Sequence, residues 1–310
     1  MSRDAFKTVN FRPQSVVLLH LATQIINAYQ TQGYRLTLRQ LYYQLVVRNV
    51  IPNTERSYKN LGNLISEGRL AGEIDWDAIE DRIRIPRRHA EWSDPGSAMD
   101  ALLRQYRLPR WSDQPHHVEV WVEKDALAGV LQPVTDRRHV YLMVNRGYSS
   151  QSAMHDAYER FMQATREGKE VVVLYLGDLD PSGEDMVRDI DDRLNDLFGV
   201  PVRVIKLGIT PEQVLQYNPP PNPAKMTDSR AAKFVDRHGA QSYEVDALPP
   251  DVLTALIETA IDDYEDSALM GVWLEKEERH KKMLEEARDD IMKRLAEEDQ
   301  DKEDSDGDNL

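Results

Sequence analysis

Four short runs rich in β-branched and aromatic residues recur along the middle of the chain, and the first three pass straight into helical patterns. HVEVWVEKDALAGVL begins at His117, HVYLMVNRGYSSQSAMHDAYERFMQ at His139, VVVLYLGDLDPSGEDMVRDIDDRL at Val171 and PVRVIKL at Pro201. Strands that alternate with helices predict βαβ units, and therefore an α/β fold built on a parallel sheet. Functional groups of such sheets collect where strands end. Glu123, Gly147 and the pair Asp178/Asp180 fall at three of those C-terminal ends.

The N-terminal part has a different pattern. SVVLLHLATQIINAY and LTLRQLYYQLVVRN repeat apolar residues at helical spacing, the second with Thr37 placed to cap it, and SYKNLGNLISEGRLAG offers Leu61, Leu64, Ile65 and Leu70 to a core. Three helices followed by the basic, strand-like DRIRIPRRH predict a winged-helix module over residues 10–110. Segments rich in Pro, Ser and Asp (Trp92–Gly96, Leu108–Pro115) read as a linker to the sheet domain at 115–260. A long charged helix is expected over 262–298, and the acidic end, 299–310, reads as a disordered tail.

Composition narrows the classes of function. There is no cysteine, so disulfides and thiolate chemistry are excluded. No apolar run approaches the roughly 18–20 residues of a membrane span, and the opening MSRDAFKTVNFRP lacks the apolar core of a signal peptide. The expectation is a cytoplasmic protein with no membrane partner. The net charge of −15 is unevenly spread: residues 1–110 hold 16 Lys and Arg against 11 Asp and Glu, a formal +5, which leaves −20 on the rest. A basic N-terminal third is where a polyanion would bind, with Arg56, Lys59, Asn60 and Asn63 near one side of the third helix.

Two groups of residues carry candidate chemistry. Asp178 and Asp180 follow a buried-strand pattern directly, with Gly183 allowing close backbone approach and Glu123 at a neighbouring strand end. Carboxylates alone suit a hard cation such as Mg²⁺. The plainer reading of Asp178 and Asp180 is a turn and a helix N-cap. In LTLRQLYYQLV, Leu38, Leu41, Tyr42, Leu45 and Val46 share a helical face, which leaves Tyr43 off the core stripe, partly exposed, with Arg39 one turn earlier on its flank. A phenol beside a guanidinium suits attack on a phosphodiester; the plainer reading is a tyrosine packed on an arginine stem.

Taken in order, TLRQLYYQLV, VEKDALAGVL, VNRGYSS and GDLDPSG resemble the motifs of the topoisomerase VI A subunit and the related meiotic double-strand-break proteins. The resemblance covers about residues 15–260 and is closest to minimal stand-alone A-type proteins. It implies a Tyr-bearing winged helix followed by a Toprim domain, Tyr43 as nucleophile with Arg39 as its partner, and Glu123, Asp178 and Asp180 as Mg²⁺ ligands. It further implies a nucleoid-associated homodimer acting on double-stranded DNA, in which the tyrosine of one protomer meets the metal of the other. Gln40 stands where the family has an acid, and Ser149 where it has a proline. No phosphate-binding Gly-rich loop appears, so any ATPase would be a separate B-type subunit. The implied reaction is a type IIB topoisomerase-like transesterification that leaves a 5′-phosphotyrosyl link. Two alternatives stay open: a metal-dependent nuclease acting through water, and a non-catalytic DNA-binding or assembly protein.

Overall fold

The computed structural model describes residues 5–79, 89–145, 147, 149–223 and 231–307. Three helices come first, α1 (Pro13–Gln30), α2 (Leu38–Val47) and α3 (Glu55–Leu70), followed by α4 (Pro95–Gln105). Then come β1 (His116–Val122), α5 (Ala128–Arg138), β2 (Tyr141–Val144), α6 (Gln151–Arg166), β3 (Glu170–Leu176), α7 (Pro181–Asp191) and β4 (Val202–Gly208). The remainder is α8 (Pro211–Tyr217), α9 (Ala231–His238), α10 (Pro250–Asp262) and α11 (Ser267–Gly307). The strand-like DRIRIPRRH lies, apart from His89, outside the described residues. Among the described residues no helix is long and apolar enough to cross a membrane.

The chain divides into two compact units, residues 1–84 with 115–264, and residues 85–114 with 265–310. In the first, the four strands form an all-parallel sheet in the order β2-β1-β3-β4, the mixed α/β architecture that the strand–helix alternation predicts. The alternation along β1 sends Trp121 to the same side as Val173 and Tyr175 of β3. There they pack with Met154, Ala157 and Phe161 of α6 and Met186 and Ile190 of α7. Helices α5 and α10 pack on each other and on β2 and β4.

The N-terminal helices build a separate core from Leu19, Ala22, Ile25, Leu41, Tyr42, Leu45, Leu61, Leu64 and Ile65. Thr37 caps α2 through a capping box in which Gln40, not an acid, closes the reciprocal bond: its Oε1 accepts the Thr37 N–H at 2.8 Å. Ala247, from far along the chain, completes this core, and the Tyr34 hydroxyl bonds Thr254 Oγ1 at 2.8 Å.

In the second unit the segment read as a linker contains α4, started by Asp94, whose Oδ1 accepts the Ser97 N–H at 2.8 Å, and by Pro95 in the first turn. Glu277 of α11 is buried and accepts two bonds from Arg110 (2.8 and 3.0 Å) and one from the Leu108 N–H (3.0 Å). Against the effect of burial, these bonds and Lys281 hold its carboxyl down at about 2. Helix α11 continues to Gly307, through most of the segment expected to be a disordered tail; residues 308–310 lie outside the described ones. Its Glu, Lys, Arg and Ala content has high intrinsic helix propensity, and ion pairs such as Arg294–Asp290 (2.6 Å) add i,i+4 support.

One charged group sits inside the sheet's packing. Glu119, in the middle of β1, is fully buried, and its carboxylate accepts Arg160 at 2.7 and 2.9 Å and the Trp121 indole at 2.9 Å, with His117 Nε2 at 3.1 Å. Burial alone would push its pKa up; the bonds from His117 and Arg160 outweigh that and hold it below the ordinary value. Glu119→Ala strands the Arg160 guanidinium and is expected to destabilise the protein by about 3–5 kcal/mol, measured by denaturant unfolding.

Candidate active site

In the order β2-β1-β3-β4 the chain leaves β1 towards one edge for β2 and returns to the other side for β3, so the topological switch point lies between β1 and β3. Such a crevice, outside the strand C-termini, is where open α/β sheets bind ligands. Glu123 follows the last residue of β1, and Gly177 and Asp178 follow the last of β3. The two ends are stitched together: the Glu123 N–H donates to the Leu176 carbonyl at 2.9 Å, and the Asp178 N–H donates to Glu123 Oε2 at 3.0 Å.

Asp180 caps α7, its Oδ1 accepting the Gly183 N–H at 2.6 Å. The plain capping reading of this residue is therefore correct, and its Oδ2 is left free of protein partners among the described residues. Gly183 is required by close approach, because a Cβ there would lie 2.3 Å from the Asp178 carbonyl oxygen. Gly177 is constrained in the same way, by the Tyr175 ring at 2.5 Å and Glu123 Oε2 at 3.0 Å. In the GYSS segment Gly147 takes a left-handed φ of 94°, Ser149 is buried and Ser150 caps α6; Arg146 and Tyr148 lie outside the described residues.

A second acidic segment completes the site. Leu179 and Tyr243 exchange backbone hydrogen bonds at 2.8 and 3.0 Å, which pins residues 244–246 against the Asp-x-Asp turn. Carboxylate oxygens of Asp178, Glu244 and Asp246 then lie within 4.8 Å of one another, a buried acidic group that could hold a metal ion. The cations facing it are the protein's own. Lys124 Nζ stands 2.9 Å from Asp178 Oδ1, 2.6 Å from Glu244 Oε2 and 2.9 Å from Asp246 Oδ1. Arg39 pairs with Glu244 through Nη2 and reaches Asp246 Oδ2 from Nε at 2.9 Å. Burial works against the Lys124 charge, but Asp246, Asp178 and Glu244 outweigh it and raise its pKa; Asp246 and Glu244 do the same for Arg39.

Tyr43 is buried, 3% exposed, where helical periodicity left it partly exposed. The difference is tertiary: the turn at Val245–Ala247 covers the flank of α2 that the apolar stripe assigns to solvent, and every residue from Gln40 to Val46 is buried. The Arg39 guanidinium lies 5.8 Å from the Tyr43 ring centroid. Burial, then Asp246 and Glu244, push the phenol up to about 12 against the pull of Arg39 and Asn222. Tyr42 is buried too, and its hydroxyl donates to Asn53 Oδ1 at 2.9 Å.

These groups share a cavity of about 530 Å³, lined by Arg39, Tyr42, Tyr43, Asn53, Tyr58, Asp178, Asp180, Asn222, Tyr243 and Glu244 among others. The structure thus brings Tyr43 and Arg39 to one wall-to-wall space with Asp178 and Asp180 of the same chain. Glu123 lies directly behind Asp178. Lys124, Glu244 and Asp246 were not singled out in the sequence; the signal for the last two is the Glu-x-Asp spacing, which in extended backbone points both side chains one way. No protein-family model matches the chain, and no curated protein matches it.

Asp178 is the group whose ionisation this crowding opposes most visibly. Burial above all, then Glu123 and Asp246, raise its pKa to about 7 in spite of Lys124. A carboxyl raised above its unfolded value of about 3.9 contributes stability below that pH and loses it as pH rises through about 7. Asp178→Asn keeps an Oδ1 acceptor without the charge. In metal-free buffer the variant is expected to match wild type near pH 4 and to exceed it by on the order of 2–4 kcal/mol at pH 8, as read by denaturant unfolding.

Proposed function

We propose that this chain is a metal-dependent DNA-cleaving transesterase of the topoisomerase VI A type, with α1–α3 as the helical part of a winged helix and the parallel sheet as a Toprim domain. The observation that carries the proposal is the single cavity that Tyr43 and Arg39 share with Asp178 and Asp180. The likeness of four ordered motifs to that family supports it, as does the basic excess of the N-terminal third, which suits a DNA backbone.

The residues fit Mg²⁺. Glu123, Asp178 and Asp180 offer oxygen only, and Glu123 Oε1 and Asp180 Oδ2 have no protein partner among the described residues. Asp178, Glu244 and Asp246 by contrast already hold Lys124 and Arg39, so they serve to fix those cations beside the cavity. The ion, taking one or two carboxylates and keeping water, would supply charge stabilisation at the phosphoryl oxygens.

Tyr43 Oη attacks phosphorus and the bond from phosphorus to the 3′ oxygen breaks, leaving a 5′-phosphotyrosyl link and a 3′-hydroxyl. The phenolic proton passes to Glu244, which shares the cavity, and a proton is returned to the departing 3′ oxygen. No net hydrolysis occurs, so the strand can be rejoined. Arg39 stands beside the attacking oxygen to stabilise charge on the phosphate. Two such chains in a homodimer would cut two strands.

Hydrolysis is the second reading, favoured by the buried Tyr43 hydroxyl and its pKa of about 12, which leave the phenol protonated at neutral pH in the metal-free chain. Denaturing electrophoresis of end-labelled DNA with and without protease separates the two. Transesterification predicts a protease-sensitive shift of the 5′ end with Mg²⁺. That shift should disappear in Tyr43→Phe, with at least a hundredfold loss of cleavage, and persist in Tyr42→Phe. Free 5′ ends made equally by wild type and Tyr43→Phe would assign the reaction to water. Asp180→Asn is expected to abolish either form of cleavage.

A further inference from the structure

The cavity is divided in a way that a phosphate alone does not explain. At one end stand Arg39, Asp178, Asp180 and Glu244; along the side runs a row of aromatic rings. Tyr43 meets Tyr42 edge-to-face at 5.3 Å between centroids, and Tyr42 meets Tyr58 in the same way at 5.3 Å. Tyr243 lines the same space. Its volume of about 530 Å³ is within the roughly 300–1,000 Å³ of sites that enclose a small molecule.

Burial of the tyrosine adds a second constraint. Tyr43 is only 3% exposed, so its hydroxyl is reached through the cavity and not across a flat surface. In a closed duplex each phosphate is carried on a nucleotide whose base is stacked inside the helix. Delivering such a phosphorus to a recessed hydroxyl requires that nucleotide to leave the stack, as enzymes that act on a buried atom of DNA require.

We propose that the cavity takes one unpaired nucleotide, its phosphate at the Arg39 end and its base against the tyrosine row, so that the substrate is single-stranded or locally opened DNA. This inference rests on the cleavage reading above and narrows its substrate. The polar groups of the wall are engaged with one another: the Tyr42 hydroxyl donates to Asn53 Oδ1 at 2.9 Å, and Asn53 Nδ2 donates to Asn222 Oδ1 and the Pro221 carbonyl, both at 3.0 Å. What remains for the base is ring face. Stacking without hydrogen-bond readout tolerates any base, so binding has little sequence preference.

The test is fluorescence anisotropy with Ca²⁺ in place of Mg²⁺, on a labelled oligothymidine, a fully paired duplex of the same length, and that duplex with a central unpaired bubble. The oligothymidine and the bubble are expected to bind about tenfold or more tighter than the paired duplex. Tyr58→Ala should weaken both unpaired probes by roughly tenfold and leave the paired duplex unchanged, while Tyr58→Phe, which keeps the ring, should bind as wild type. A thermal melt of each variant separates lost stacking from lost folding. Equal affinity for bubble and paired duplex, or a Tyr58→Ala effect equal on all probes in a folded variant, would overturn the unpaired-nucleotide site and leave the cleavage reading standing. Binding of no DNA probe, or of thymidine monophosphate in place of every strand, would overturn both.

Discussion

Two cations and three carboxylates, Arg39, Lys124, Asp178, Glu244 and Asp246, meet behind the cavity, and the arrangement of everything around it depends on that meeting. Arg39 comes from α2, Lys124 from the end of β1, Asp178 from the end of β3 and the other two acids from a segment pinned by the Leu179–Tyr243 bridge. Burying charges costs several kcal/mol per ion, and the cost is offset only while each charge keeps its partners. The network therefore fixes four pieces of chain relative to one another. Removing Lys124 would leave three carboxylates facing each other; removing Glu244 would release both cations at once. The same network sets the electrostatics of Tyr43, whose hydroxyl is held protonated by Asp246 and Glu244 and opposed in this by Arg39.

The sequence made the sheet legible because its signal is local. Each β-branched run is short and ends in a turn or helix start, and the four runs became β1 to β4 in register. Asp180 shows why one residue supports two readings: it is the N-cap of α7 through Oδ1 and still presents Oδ2 at the strand end. Burial of Tyr43 was not legible, since periodicity describes one helix and the covering turn comes from residues 245–247, some two hundred positions on. Glu244 and Asp246 were hidden for the same reason. Their Glu-x-Asp spacing means nothing until the backbone bridge places it beside Asp178. Helix α4 was missed where the Pro and Asp that were read as linker residues act as its first turn and cap.

The cavity also changes what the family resemblance suggests about assembly. In that family the tyrosine of one protomer meets the metal of its partner, whereas here Tyr43 faces Asp178 and Asp180 of its own chain. Its cations, Arg39 and Lys124, are held by acids of that chain too. On the reading proposed above, each chain carries a whole site, and a dimer is needed only to pair two cuts.

Mixing two inactive variants tests this most directly. Tyr43→Phe keeps the acids, and Asp180→Asn keeps the tyrosine; the two are unfolded together, refolded as a mixture and assayed for Mg²⁺-dependent cleavage of negatively supercoiled DNA beside wild type. A site complete in one chain predicts that the mixture stays as inactive as either variant alone. Cleavage restored in the mixture would contradict it, because only a site built from the tyrosine of one chain and the acids of another can be rescued that way.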